Sequence, residues 1–194
     1  MGLYNRRMPR YDFLVETYRT ERLKTLDVWM QIPEERLRWR SEPRARTPLE
    51  HMVHQCQSEH NWMTGMLGIE IARPALPAEE TRDRFIAHYG ACAADRFALL
   101  QQKADVWFEE DTAFFDVRRA RAWILTRRLT HTAHHRGQLT AAIRSWGLPL
   151  YSTYGPTADT GGLPKNGAGI IYRGSGDAPA LPGPGALSPT ERPQ

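Results

Sequence analysis

The sequence predicts an all-α fold: a four-helix bundle with a Gly/Pro-rich C-terminal extension. Two observations carry this. Four long segments place apolar side chains at helical spacing, with prolines and glycines in or beside the gaps between them. Beyond Leu148 the periodicity stops and the chain becomes rich in Gly and Pro.

The first helix is expected over about residues 11–31, where Leu14, Tyr18, Leu23, Leu26, Val28 and Trp29 recur on one side and Pro33 ends the run. A connector, ERLRWRSEPRAR, leads to the clearest helix start in the chain. Thr47 can cap, Pro48 suits the first turn, and Glu50 completes a capping box. This second helix should reach Gly68 or Ile71, before the prolines at 74 and 77.

The third helix is placed at residues 79–103, with Phe85, Ile86, Tyr89, Ala93, Phe97 and Leu100 as its apolar side. The acidic, aromatic stretch DVWFEEDTAFFDV follows and is short for another full helix, so it is expected as an extended connector packing aromatics on the bundle. The fourth helix spans residues 118–146 and stops at Gly147 and Pro149. Residues 1–150 thus form the bundle; residues 151–194 form the extension, with an ordered strap at 151–163 and then a disordered tail.

A chain of 194 residues suffices for one full core. No apolar run approaches the ~20 residues of a membrane span, and the start has no apolar core behind its positive charge, so neither a membrane nor a signal peptide is expected. Two cysteines without motif spacing make no disulfide scaffold, and a cytoplasmic location follows. The net charge is +4, and most arginines stand near Glu or Asp; solvated helix faces explain them better than a nucleic-acid surface.

Six of the seven histidines fall in two clusters, His51-His54-His60 and His131-His134-His135. Imidazole is the commonest ligand for borderline metals. His131 and His135 are just over one helical turn apart and share a face; with one histidine of the first cluster they would make an open three-histidine site. A lone helical histidine such as His88 is usually a surface or hydrogen-bonded residue. For the third ligand, a helical wheel puts His60 within the stripe of Leu49, Met52, Val53, Cys56, Met63 and Leu67, and leaves His54 well off its centre. Spacing alone leaves His51, His54 and His60 open. Zinc is the default from ligand type, with nickel, manganese or iron also suited.

Over most of residues 39–146 the chain resembles the DinB family of damage-inducible proteins, also called DinB/YfiT-like metalloenzymes. The resemblance rests on Trp39-Arg40, Thr47, His54, Glu59 and Trp62, and on His131, His135, Arg136, Gly137 and Gln138, an H-x-x-x-H-R-G-Q string on the last helix. It implies three metal ligands, His54, His131 and His135. His51 stands where the family usually has an apolar residue, and His134 adds a spare imidazole. Arg136 and Glu59 are read as helix-anchoring salt bridges, and Gln138 as a hydrogen-bond partner of a metal-bound water. The string YGPTADTGGLP resembles an extension in one branch of the family.

The resemblance further implies a metal-dependent enzyme, a transferase or hydrolase acting with a small-molecule substrate or a low-molecular-weight thiol. The alternative is a non-catalytic metal-binding protein of stress response or partner interaction. Bundles of this family commonly pair, so a homodimer is expected, with no nucleic acid and no membrane as partner.

Overall fold

The computed structural model describes residues 9–148 and 150, so the strap and tail expected beyond residue 150 lie outside the described residues. The long helices are α1 (Asp12–Met30), α2 (Pro48–Gly65), α3 (Arg82–Leu100) and α5 (Arg121–Ser145). Between α3 and α5 stand a short helix, α4 (Asp105–Glu109), and two strands, β1 (Asp111–Phe114) and β2 (Val117–Ala120).

The start of α2 forms as its sequence dictates. The Thr47 hydroxyl accepts from the Glu50 amide at 3.2 Å, and the Thr47 amide donates to the Glu50 carboxylate at 2.7 Å, with Pro48 at the first helical position. Two amides otherwise left without helical partners are satisfied at once. Thr47→Ala is expected to cost about 1 kcal/mol, read as a lower urea midpoint at unchanged slope. An unchanged midpoint would mean that Pro48 and packing alone set this end. The far end stops at Gly65, earlier than expected. Gly68 takes a left-handed φ of 65°, which lets the Ile69 amide return to the Met63 carbonyl at 2.7 Å.

Two boundaries move for similar reasons. The third helix starts at Arg82, because Thr81 caps it by accepting from the Arg84 amide at 3.3 Å. The stretch expected to be extended folds instead into α4 and an antiparallel hairpin, with Asp111 opposite Ala120 and Phe114 opposite Val117. Strand pairing therefore claims Arg118 to Ala120, which were expected in the last helix. The expected aromatic packing does occur. Phe108 is buried, and Phe114 meets Trp62 and Trp123 edge-on at centroid distances of 5.2 and 5.0 Å. At the other end of α5, Gly147 adopts a φ of 71°, the left-handed stop its position called for.

The core has two apolar clusters. One gathers Leu14, Tyr18, Met63, Leu67, Ala93, Leu100, Ile124 and Leu125; the other gathers Val28, Trp29, Met52, Cys56, Phe85, Tyr89, Leu139 and Ile143. Each long helix contributes one end to each cluster. The chain thus runs from the first cluster to the second along α1 and α5 and back along α2 and α3. Between the clusters the apolar stripe of every helix is interrupted by buried polar side chains: Glu21 and Thr25 on α1, Glu59 on α2, Arg96 on α3, and Arg128, Thr132 and Arg136 on α5. On α1 these residues, not Leu23, face inward at mid-helix.

Polar groups persist in a core only when paired. Here Glu59 accepts from the hydroxyls of Tyr18 and Tyr89, each at 2.8 Å, and from Arg96 at 3.2 Å. Arg136 pairs with Glu21 and also donates to Thr25 Oγ1 at 3.0 Å, tying α5 to α1. Both residues therefore anchor helices, as their salt-bridge reading anticipated.

Candidate metal centre

At the level of this polar belt, α2 and α5 face each other along two ridges of side chains. On α2 the ridge is His51, His54, Ser58 and Trp62; on α5 it is Arg128, His131, His135 and Gln138. Successive members are three or four residues apart, the spacing that keeps side chains on one helical face. Ser58 accepts from Arg128, and the Trp62 ring stacks on that of His131 at 5.8 Å. His54 sits against both His131 and His135, with ring centroids 5.2 and 4.7 Å away.

One ring nitrogen from each of His54, His131 and His135 lies within 4.8 Å of the other two, a group that could hold a metal ion. The Nε2 atom of His131 is 3.2 Å from that of His135 and 3.5 Å from that of His54. Metal–nitrogen bonds of about 2.0–2.1 Å at tetrahedral angles place two such nitrogens about 3.4 Å apart. The donor set and its spacing fit a divalent ion.

The wheel's preference for His60 is not matched by the clustering, which brings His54 to His131 and His135. His60 is not among the three clustered histidines; it lies off the ridge that meets α5. The wheel followed the apolar stripe, which points at the bundle axis, whereas the histidine ridge points sideways at one neighbouring helix. His51 is buried, its ring 5.2 Å from that of His135, but it stands outside the three-nitrogen group. His134 is exposed beside His135. His88 lies on α3 and contacts Cys92 Sγ at 3.5 Å.

Hydrogen bonds set the tautomers, since arginine only donates and a carboxamide oxygen only accepts. Gln138 Oε1 lies 2.8 Å from His135 Nδ1, so that nitrogen carries the proton and Nε2 turns a lone pair toward the cluster. Gln138 thus fixes the orientation of the His135 ring. Arg128 Nη1 lies 3.0 Å from His131 Nδ1, which accepts, and also donates to Ser58; Nη2 donates to Thr132 Oγ1 at 3.0 Å. The His131 Nε2 proton then points at His135 Nε2, which completes a consistent chain of donors and acceptors.

Electrostatics keep these rings neutral. Burial foremost, then the charges of neighbouring histidines and of Arg46, pushes His51 down to about 4. Burial and the Arg46 guanidinium do the same to His54, to about 4, and burial with Arg128 takes His131 to about 3. Burial also lowers His135, against the opposing Gln138 bond. The unfolded chain takes up these protons near an ordinary pKa of about 6.5. It therefore binds more protons than the folded chain as pH falls from about 6.5 toward 4, and folding stability must fall across that window. In metal-free protein the ring-proton resonances of His51, His54 and His131 are expected to stay fixed between about pH 8 and pH 5. A His54 or His131 resonance that titrates near 6.5 would contradict the packing described here.

Over the cluster opens a cavity of about 470 Å³ lined by Arg46, His54, Arg127, His131, His134 and His135. Arg46 comes from the connector before α2 and Arg127 from α5. Neither was singled out from the sequence, where arginines near acidic residues read as solvated. Their role over the cavity depends on how the connector and α5 are brought together.

No curated protein matches the chain. Among solved structures, a DinB-like protein from Bacillus cereus ATCC 10987 superposes with a TM-score of 0.64 at 19% identity, over 73% of this chain and 95% of its own. A DinB-like protein, YjoA, from Bacillus subtilis superposes with a TM-score of 0.56 at 14% identity, over 70% of this chain and 93% of its own. At these identities the likeness is one of fold. The DinB family model matches residues 8–162, which takes in all four long helices and both histidine ridges. The chain belongs to the DinB family.

Proposed function

We propose that this chain is a divalent-metal enzyme of the transferase or hydrolase type, whose ion is held by His54, His131 and His135 with a coordination position open to a small-molecule substrate. One observation carries the reading: three neutral imidazole nitrogens converge at metal-site spacing on the floor of a cavity. Zinc suits three imidazoles and an open position best, with nickel, manganese and iron next. When bound, such an ion supplies Lewis acidity, lowering the pKa of a thiol or water at its open position.

The chain's own residues do the rest. Gln138 keeps the His135 ring in the ligating tautomer. His131 ligates through Nε2 only after its proton moves to Nδ1; Arg128 then turns to Ser58 and Thr132, partners it already holds. Trp62 covers one face of the His131 ring and limits water on that side.

A second reading has its own observation. His51 is buried beside His135 with Nδ1 lacking a hydrogen-bond partner, and a small rotation would add a fourth imidazole. That would close the site and favour a non-catalytic metal-binding protein. Cobalt-substituted protein separates the two. An open site is expected to gain a sulfur-to-metal absorption band when a thiol is added; a spectrum indifferent to thiols and anions that becomes responsive in His51→Phe would establish the closed site instead.

A further inference from the structure

The cavity over the three histidines has an unusual charge balance. Among the described residues its lining holds two arginines and four histidines, with no carboxylate. Several other surface arginines are paired, Arg40 with Glu50, Arg44 with Glu42, Arg73 with Asp95, Arg82 with Asp83 and Arg121 with Glu110, whereas Arg118 and Arg119 donate only to backbone carbonyls. Arg46 and Arg127 reach no carboxylate among the described residues, although both are close enough to bias the clustered rings electrostatically. With the rings neutral and a divalent ion in place, no carboxylate among the described lining residues offsets the positive charge gathered at this mouth. Long-range attraction of this kind selects anions and speeds their arrival, and guanidinium is the side chain whose donors best match an oxyanion.

We propose that this cavity binds a small anion whose carboxylate or phosphate group is held by Arg46 and Arg127. The substrate class of the site is then a molecule with two features, a metal-ligating atom and, within the same cavity, an oxyanion. The ligating half rests on the metal reading above; the oxyanion half rests on the arginines alone. The size agrees, since about 470 Å³ falls within the usual range of small-ligand pockets. Arg46 also borders a neighbouring cavity of about 500 Å³ lined by Trp39, His51, Leu139 and Ala142. Arg46 lines both cavities, and the second has a mixed lining that includes Arg44 and Gln138, so a longer substrate would meet polar as well as apolar groups there.

The test uses the full chain loaded with zinc, its metal content measured first, and compares two thiols by calorimetry. β-Mercaptopropionate carries a carboxylate; β-mercaptoethanol of similar size carries none. The carboxylate thiol is expected to bind about tenfold more tightly or better, as charge-assisted hydrogen bonds of this strength imply. The advantage should shrink with added salt. It should vanish in the double variant Arg46→Gln, Arg127→Gln while metal content stays unchanged. Equal binding of the two thiols by metal-loaded protein overturns the proposal and leaves the metal reading standing.

A second arm needs no metal. Propionate and inorganic phosphate are titrated into chelator-treated protein, following the arginine side-chain NMR signals that Arg46→Gln and Arg127→Gln remove. Shifts of those two signals support the anion site even if no metal is retained, and the tighter of the two probes identifies the oxyanion. No shift with either probe overturns it.

Discussion

His54→Ala, His131→Ala and His135→Ala are each expected to lower zinc affinity more than about 100-fold, measured by competition against a chromophoric chelator. Removing even an outer partner of a metal ligand commonly costs about 10–100-fold, and here one of three direct donors is lost. The remaining pair has no compensating carboxylate among the described residues lining the cavity. His60→Ala, His88→Ala and His134→Ala should stay within about threefold of the parent, because none belongs to the three-nitrogen group. Gln138→Ala is the graded case, at about tenfold, since it frees the His135 ring to flip without removing a donor. Circular dichroism of each variant separates lost ligation from lost folding. Full affinity in His54→Ala together with loss in His51→Ala would move the third ligand one helical turn toward the start of α2.

The largest stability effect is expected at the polar belt. Glu59→Gln should destabilise the metal-free protein by about 3–5 kcal/mol, the cost of breaking a buried ion pair by removing one partner. Three observations place it at the top of the range of single substitutions. Glu59 and Arg96 are 1% and 2% exposed, so the stranded guanidinium has no water to turn to. The carboxylate also accepts from two phenols, which burial and the Glu59 charge keep firmly protonated and hence able to donate. An amide supplies one acceptor oxygen for three donors. Double replacement of Glu59 and Arg96 by methionine should recover the part of the loss that comes from the stranded charge, while the Tyr18 and Tyr89 hydroxyls still lack their acceptor. A urea midpoint in Glu59→Gln within about 0.5 kcal/mol of the parent would mean that the belt is hydrated and contributes little.

The belt explains why function and fold share residues in this chain. Arg136 follows His135 directly, and its pairing with Glu21 fixes the rotation of α5 against α1. That rotation aims the preceding ridge, His131 and His135, at α2. Arg128, one turn before His131, meets Ser58 on α2 and sets the facing helix. Mid-bundle stability is thus spent on polar partners that hold three imidazoles in place, between two apolar clusters that hold the helices together.

Much of this was legible in the sequence because it is local. Helical periodicity placed the four long helices, the Thr47-Pro48-Leu49-Glu50 capping box fixed where α2 begins, Gly147 ended α5, and one-turn spacing put His131 and His135 on one face. These follow from backbone geometry and from groups a few residues apart, which a sequence displays directly. The resemblance that named His54 drew on the spacing of a family pattern. The wheel drawn from this chain alone chose His60, because it weighs apolar burial and is blind to a polar ridge whose partners are on another helix. Only the tertiary structure could decide that choice. It also decided that DVWFEEDTAFFDV makes a helical turn and a hairpin, since four-residue strands are stabilised by pairing and by aromatics from α2 and α5. And it decided that Arg46 and Arg127, 81 positions apart in sequence, line one cavity with no carboxylate among its described lining: an electrostatic property of folded space that no stretch of the chain contains by itself.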